Sequence, residues 1–291
     1  MKLVKFISYL FLFSCYTFAQ EEKPLVEKRK ISTTKTKNSI KIDGELNETD
    51  WENVPVAKDF IMMEPDNGKP EPNERKTEVK VLYDDDAIYI GAILYDNEPN
   101  AILKEITERD KDGTSDYFGA FINGFNDGQQ SYCFYVGPTN CQSDCVQSAQ
   151  GSEDYSWDSI WASETKLSDK GWVVEMKIPY AALRFSGEEK QTWGINFFRE
   201  VRKLRHSFTW NKVDNKAGTL TQQSGVLEGI EKINTPTRLF LIPYSSFYLN
   251  SPANEKTYGT IKGGLDLKYG LTDAFTLDMV LIFCKNKKML S

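Results

Sequence analysis

The sequence predicts an all-β protein: a β-sandwich of immunoglobulin-like or jelly-roll type over residues 39–233, followed by a few antiparallel, barrel-type strands over 234–291. Three observations carry this. Residues 172–178 alternate cleanly, with Trp172, Val174, Met176 and Ile178 on one face and Val173, Glu175 and Lys177 on the other; a period of two marks a half-buried antiparallel strand. Roughly eight or nine short strands of this kind, separated by turn residues, fit between Ser39 and residue 230, the spacing of a sandwich. Beyond them lie three longer strands, 238–250, 260–269 and 275–283, of a different character.

Composition narrows the function before any motif does. At 40% apolar and 27% charged, the 291 residues can build a substantial core. A net charge of −6 and a pI near 5.2 lack the basic footprint of nucleic-acid binding, so no nucleic-acid partner is expected. His206 is the one histidine, which removes most histidine-dependent chemistry. The 14 Tyr, 17 Phe and 6 Trp suit both sheets and sugar-binding surfaces.

Lys2 and Lys5, an apolar run from Phe6 to Phe18 and a small residue at Ala19 predict a secretory signal peptide over residues 1–19. The run is shorter than the ~20 apolar residues of a spanning helix. A lipoprotein reading through Leu12–Cys15 suffers from the bulk of Phe13. Residues 20–38 are charged and poor in apolar side chains, as in a flexible lead-in. Ile40 and Ile42 then alternate as a strand, Asp43-Gly44 turns, and Asn47 or Thr49 caps a short helical turn that carries Trp51 as a core plug.

Residues 59–75 read as a loop rich in Pro, Asn and Gly. Strands 77–83 and 88–95 are joined by Asp84-Asp85-Asp86. Three acids in a row make calcium a candidate cofactor, but calcium needs further oxygen ligands converging from elsewhere, and Asp is a routine turn former. A solvated hairpin turn is therefore expected, and no cofactor is assigned. A charged segment, 102–112, leads into strand 116–123, and a second strand returns over 130–137. Residues 140–155 read as a polar loop. The central hairpin follows: a partly alternating strand over 157–167, a turn at Lys166–Gly171, the strand to Ile178, then one helical turn over Tyr180–Leu183 after Pro179 ends the ladder. Thr192 to Arg202 alternates again, with Trp193, Ile195 and Phe197 on one face.

In the last strands Leu265, Leu267 and Tyr269 alternate with Asp266 and Lys268, and Phe275, Leu277, Met279 and Leu281 with Thr276 and Asp278, around a turn at 270–274. Apolar-out, polar-in strands of about ten residues are the pattern of a transmembrane barrel. A bacterial barrel needs at least about eight strands, so this region reads as a truncated barrel start. Its alternative is a small soluble sheet.

Ile40–Leu46 with Trp51, Val79–Asp84 with Ile88–Gly91, and Gly171–Glu175 with Ile178–Tyr180 and Leu183 together resemble the carbohydrate-binding module family 9. Trp157–Trp161, Trp193–Glu200 and Trp210-Asn211 resemble the form of this module that precedes a barrel domain of unknown function in Bacteroidetes envelope proteins. The resemblance covers about residues 39–230. It implies a sandwich fold, a polysaccharide or oligosaccharide partner, and export to the periplasm, outer membrane or surface of a Gram-negative cell, with the outer membrane as partner of the C-terminal strands.

A sugar ring presents an apolar face that aromatic side chains cover and hydroxyls that planar polar groups bind. Trp157 and Trp161, beside Asp154, Tyr155, Asp158 and Glu164, are the candidate platform, with burial in the core as the alternative. Arg109, Asp110 and Asp116 form a candidate polar cluster. Asn196 and Arg199 complete the candidate ligand set, with a structural Arg199–Glu200 ion pair as the alternative. The expected function is non-catalytic glycan recognition linked to polysaccharide catabolism. Alternatives are a structural periplasmic domain without a sugar site, or a glycoside hydrolase by family association. Hydrolysis would need two carboxylates set across the bond; Glu153, Asp154 and Asp158 can be nominated, but no nucleophile motif accompanies them. Export would place the cysteines in an oxidising compartment. A disulfide among Cys133, Cys141 and Cys145, or free thiols, is then expected, and no second pair or nearby His completes a zinc site.

Overall fold

The computed structural model describes residues 28–111, 113–233, 239–251, 257–271 and 275–289, with side chains through residue 282. The expected signal peptide, the first part of the lead-in, residues 272–274 of the last turn and the side chain of Cys284 lie outside the described residues. Among the described residues the strands form three sheets of nine, six and three strands, and the helical segments are single 3-10 turns. The first two sheets make the predicted sandwich.

The strand with the clearest alternation lies second from one edge of the six-stranded sheet. Gly171–Pro179 pairs antiparallel with Ala162–Ser168 on one side and Ala87–Tyr95 on the other, and Thr77–Tyr83 follows next to Ala87–Tyr95. Trp172, Val174, Met176 and Ile178 are all at most 1% exposed and face the other sheet. Opposite them lie Phe118, Ala120, Ile122, Phe134, Ile195 and Phe197, from the large sheet whose central strands are Lys190–Val201, Tyr117–Asn123, Gln130–Val136 and Gln142–Ser148 in spatial order. Side chains of alternate residues on both sheets thus interlock into one dry layer.

Several local expectations change: within the expected loop 59–75 the segment Ile61–Glu64 is a strand, the strand expected from 157 begins at Ala162, and three further segments differ. Residues 40–42 form no strand; the segment is extended and pinned by the buried carboxylate of Glu175, whose Oε2 accepts the Asp43 and Gly44 N–H groups at 2.9 and 2.8 Å. The expected flexible lead-in contains two short strands: Lys30–Ser32 runs parallel to Gly225–Glu231 of the large sheet, and Thr34–Lys35 parallel to Thr77–Tyr83 of the other. The polar stretch expected as a loop contains the strand Gln142–Ser148. Its polarity is compatible with burial because the side chains are paired: Asp144 with Arg109, and Gln147 with Thr221 at 2.8 Å. Trp51 is 1% exposed and, as expected, plugs a cluster with Ile40, Val54, Leu82, Ala87 and Tyr89.

The third sheet, Leu239–Asn250, Tyr258–Gly270 and Thr276–Met289, is antiparallel and open, not a closed barrel. Its register sorts the side chains by face. Leu241, Leu267 and Met279 stand in one row and Pro243, Leu265 and Leu281 in the next, whereas the opposite face carries the rows Phe240, Lys268, Asp278 and Ile242, Asp266, Val280. One face is wholly apolar in these rows and the other is mixed. Leu241 is 54% exposed and Ile261 63%.

Candidate functional site

The outer face of the large sheet, the side turned away from the sandwich core, carries a second apolar layer. Register places Phe198, Gly119, Tyr135 and Ser143 in one row across four strands, and Asn196, Phe121, Cys133 and Cys145 in the next. Phe121, Cys133, Cys145, Phe198, Val213 and Leu220 are buried there, with Met63, Tyr117, Tyr135 and Tyr155 half-covering them. A sandwich strand that is apolar on both faces, as Tyr117–Asn123 is, has to pack something against its outer side as well.

The rings form a connected platform. Tyr117 lies parallel to Phe198, centroids 5.5 Å apart at 17°, and meets the edge of Tyr135 at 5.7 Å and 87°. Phe121 meets Tyr135 edge-on at 5.6 Å. These offset and edge-to-face contacts are the favoured geometries of aromatic pairs. Gly119 makes the platform possible: the Tyr135 ring lies over it, so that a Cβ at this position would sit 2.7 Å from the Tyr135 Cδ1 atom. Glu153 then fixes two rings from the rim, accepting the Tyr135 hydroxyl at 2.9 Å, the Tyr155 hydroxyl at 2.8 Å and the Gln147 Nε2–H at 3.2 Å. Burial and nearby acidic groups push the Tyr135 phenol well above its ordinary range, which keeps it a neutral donor to Glu153.

A cleft opens over this platform in two lobes that share Tyr117, Tyr135 and Glu153. The lobe of about 440 Å³ is floored by Phe121, Phe198, Val213 and Leu220; the lobe of about 190 Å³ is polar, with Glu105, Ser115, Gln142, Ser143 and Arg202. Volumes of a few hundred Å³ lined by apolar rings with a few polar groups are typical of small-ligand sites. In the polar lobe burial raises Asp116 to about 6, and opposite Tyr117 on the neighbouring strand it raises Glu200 to about 7. Cys141, also on this wall, is pushed up by burial but brought below the usual thiol range by hydrogen bonds from Thr139 and the Thr107 N–H. An aromatic floor with hydroxyls, amides and charges at its edge can bind an amphipathic, hydroxyl-bearing ligand.

The predicted site residues are distributed differently. Asp116 lines the polar lobe but is 2% exposed and accepts the Arg202 N–H at 3.0 Å. Trp161 is 6% exposed, its ring 5.4 Å from Phe134 between the sheets. Trp157 is half-buried against Tyr132 at 5.1 Å and lines a separate cavity of about 270 Å³ with Arg184, Phe240 and Lys268. Arg109 ties loops together, bonding Gln142 Oε1 at 2.7 Å, the Ser159 carbonyl at 2.9 Å and the fully buried Asp144. Asp110 accepts the Asp144 N–H at 2.9 Å. Asn196 is buried and exchanges hydrogen bonds with the Asn211 backbone at 2.8 and 3.1 Å.

Arg199 is 1% exposed and spans the sandwich, donating to the carbonyls of Arg75, Lys76 and Tyr95 at 2.9, 3.1 and 2.8 Å. Its nearest charge partner is Asp96, at 4.0 Å, rather than the Glu200 of the expected ion pair. The three carboxylates nominated for hydrolysis do not act together. Glu153 holds tyrosines, Asp154 caps Ser156 at 3.0 Å, and Asp158 lies 3.3 Å from Arg109. Asp84 accepts the N–H groups of Asp86 and Ala87, both at 2.8 Å, as a turn former does. Among the described residues no group of three or more His, Cys, Asp or Glu side chains could hold a metal ion.

The chain matches the family described as Carbohydrate family 9 binding domain-like over residues 42–218, and a Domain of unknown function (DUF5916) over residues 235–283. No curated protein matches it. Among solved structures it is similar to a family 9 carbohydrate-binding module from Caldicellulosiruptor kristjanssonii in complex with cellotriose, at 18% identity and a TM-score of 0.51, covering 70% of this chain and 95% of that one. The same organism's module in complex with glucose gives 18% identity and a TM-score of 0.50, covering 70% and 97%. A protein from Bacteroides uniformis to which carbohydrate binding is ascribed is 13% identical with a TM-score of 0.54, covering 70% of this chain and 100% of that one. At these identities the likeness is one of fold.

Proposed function

We propose that this chain, which belongs to the carbohydrate family 9 binding domain-like family, recognises a glycan in the tyrosine-lined cleft on the outer face of its large sheet. The observation that carries the reading is the ring platform of Tyr117, Tyr135, Phe121 and Phe198, held from its rim by Glu153. Such rings cover the apolar face of a pyranose, while Gln142, Glu105 and Arg202 in the polar lobe meet its hydroxyls. Cellotriose and glucose, the ligands of the similar modules, are the first sugars to try. The reading is one of binding without catalysis, because Glu153, the carboxylate shared by both lobes of the cleft, is engaged by two phenols.

Isothermal titration calorimetry of the full chain against glucose, cellotriose and a broad oligosaccharide panel tests it. A saturable heat that is lost in Tyr117→Ala is expected. Silence of the folded chain across the panel overturns the reading, as does binding that survives Tyr117→Ala but is abolished by Trp157→Ala.

A second reading concerns location. We propose export by the N-terminal signal and attachment to the outer membrane through the C-terminal sheet, as in an envelope protein of polysaccharide catabolism. The apolar rows of that sheet support it, since lipid-facing strands alternate apolar and polar positions in this way. The full chain should float with lipid vesicles, and Leu241→Asp with Met279→Asp should leave it in the aqueous fraction. Equal flotation of both overturns the membrane assignment.

A further inference from the structure

Cys133 and Cys145 take no part in the proposed glycan contacts, yet they stand directly opposite each other on the adjacent antiparallel strands Gln130–Val136 and Gln142–Ser148. Directly opposed residues place their Cα atoms about 4.5 or 5.5 Å apart, depending on the pair type, and their Cβ atoms about 4.5–5.5 Å apart. The Cα spacing falls within the range of about 4.4–6.8 Å that a disulfide spans, and closing the bond draws the Cβ atoms in to about 3.5–4.5 Å. Both side chains project to the outer face, both are 0% exposed, and both belong to the cluster beneath the aromatic platform. Burial and the adjoining Cys145 sulfur raise the Cys133 thiol well above its ordinary range, as expected of two neighbouring thiols in an apolar setting. Cys141 is placed otherwise: its sulfur is held by Thr139 and the Thr107 N–H at the end of the hairpin.

We propose that Cys133 and Cys145 are a cross-strand dithiol that closes to a disulfide when the chain folds in the presence of a disulfide oxidant, stapling the floor of the cleft. The step balances as thiol–disulfide exchange. One cysteine thiolate attacks the S–S bond of the oxidant and expels one thiolate; the second cysteine thiolate then attacks the mixed disulfide and expels the other. The two protons lost by the cysteines end on the two thiols of the reduced oxidant, and the protein is oxidised by two electrons. Because solvent is excluded from both sulfurs in the folded state, the exchange belongs to folding, before Tyr135 and Leu220 cover the pair. The inference stands apart from the glycan reading, since it needs only the register of two strands.

The test is to unfold and reduce the full chain, then refold it in a mixture of reduced and oxidised glutathione, alkylate, and map the linkage by mass spectrometry. No lysine or arginine lies between residues 112 and 165, so trypsin leaves Cys133, Cys141 and Cys145 on one peptide. Chymotrypsin, cutting after Phe134 or Tyr135, and an Asp-directed protease, cutting before Asp144, separate all three. A Cys133–Cys145 cross-link is expected, retained in Cys141→Ser and absent in Cys133→Ser, where Cys141 and Cys145 both alkylate. Free thiols at both positions in the folded wild type, or a link from either to Cys141 or Cys284, overturn the proposal. The mapping on wild type stands even if Cys133→Ser fails to fold.

Discussion

Replacing Gly119 with alanine puts a methyl carbon 2.7 and 2.8 Å from Cδ1 and Cε1 of Tyr135. Carbon–carbon contacts settle at about 3.5–4.0 Å, so the ring has to retreat by roughly 1 Å. It is not free to do so, because its hydroxyl is bound to Glu153 at 2.9 Å and its faces and edges meet Tyr117 and Phe121. Overpacking of this kind costs about 1–3 kcal/mol, and losing a hydrogen bond to a charged group about 1.5–3 kcal/mol. Against these stands a gain of about 0.4–1 kcal/mol from the stiffer unfolded chain, leaving a net destabilisation of about 1.5–5.5 kcal/mol. Equilibrium urea unfolding reads this directly: with slopes of about 1–3 kcal/mol per molar, the midpoint should fall by roughly 0.5 M or more. Gly187→Ala is the control, for nothing lies within 4 Å of a Cβ there. If Gly119→Ala unfolds at the same urea concentration as Gly187→Ala, the Tyr135 ring does not rest on Gly119 and the account of the platform fails.

Two further outcomes follow from the buried polar groups. Arg199→Met should cost about 3–5 kcal/mol in the same assay, because it takes a buried donor from the carbonyls of Arg75, Lys76 and Tyr95 and leaves Asp96, still bonded to Arg75 and the Glu98 N–H, without its second cation; a loss below about 1 kcal/mol would refute its role as the tie between sheets. Stability should also fall as pH rises between about 4 and 7. Burial raises Asp116, Asp144 and Glu175 to about 6 and Glu200 to about 7, from ordinary values of 3.8 for Asp and 4.5 for Glu. The folded state thus keeps protons that the unfolded chain releases, so the favourable contribution is complete below the unfolded values and is lost as pH climbs through the folded ones. Glu200→Gln should flatten the upper part of this slope in urea melts taken at several pH values, and an unchanged profile would refute it.

The sandwich was legible because its core strands obey a single rule. Trp172, Val174, Met176 and Ile178 announce their face by spacing alone, and the structure buries all four. Gln142–Ser148 escaped because its polar side chains look solvated until their partners are known; Arg109 and Thr221 are 35 and 74 residues away from theirs. The same blindness explains the site. Trp157 and Trp161 attract attention as large rings beside acids, yet Trp161 is spent on the core. The rings of the outer face, Tyr117, Phe121 and Tyr135, are ordinary strand residues one by one, and only register gathers them. One signal was available: residues 117–122 are apolar at every position, more than a single buried face requires.

The short segment Lys30–Lys35 pairs first with one sheet and then with the other, and both pairings are parallel. Lys30 meets Val226, a neighbour roughly two hundred residues away along the chain. A contact of that reach is among the slowest to form, because the loop it closes costs entropy before the contact returns any. During synthesis the partner strand Gly225–Glu231 emerges last of the sandwich, so the segment Lys30–Lys35, made long before it, is among the last to find its place. Until then the outer edges of Gly225–Glu231 and Thr77–Tyr83 are open where this segment will lie, and it closes both sheets in one movement.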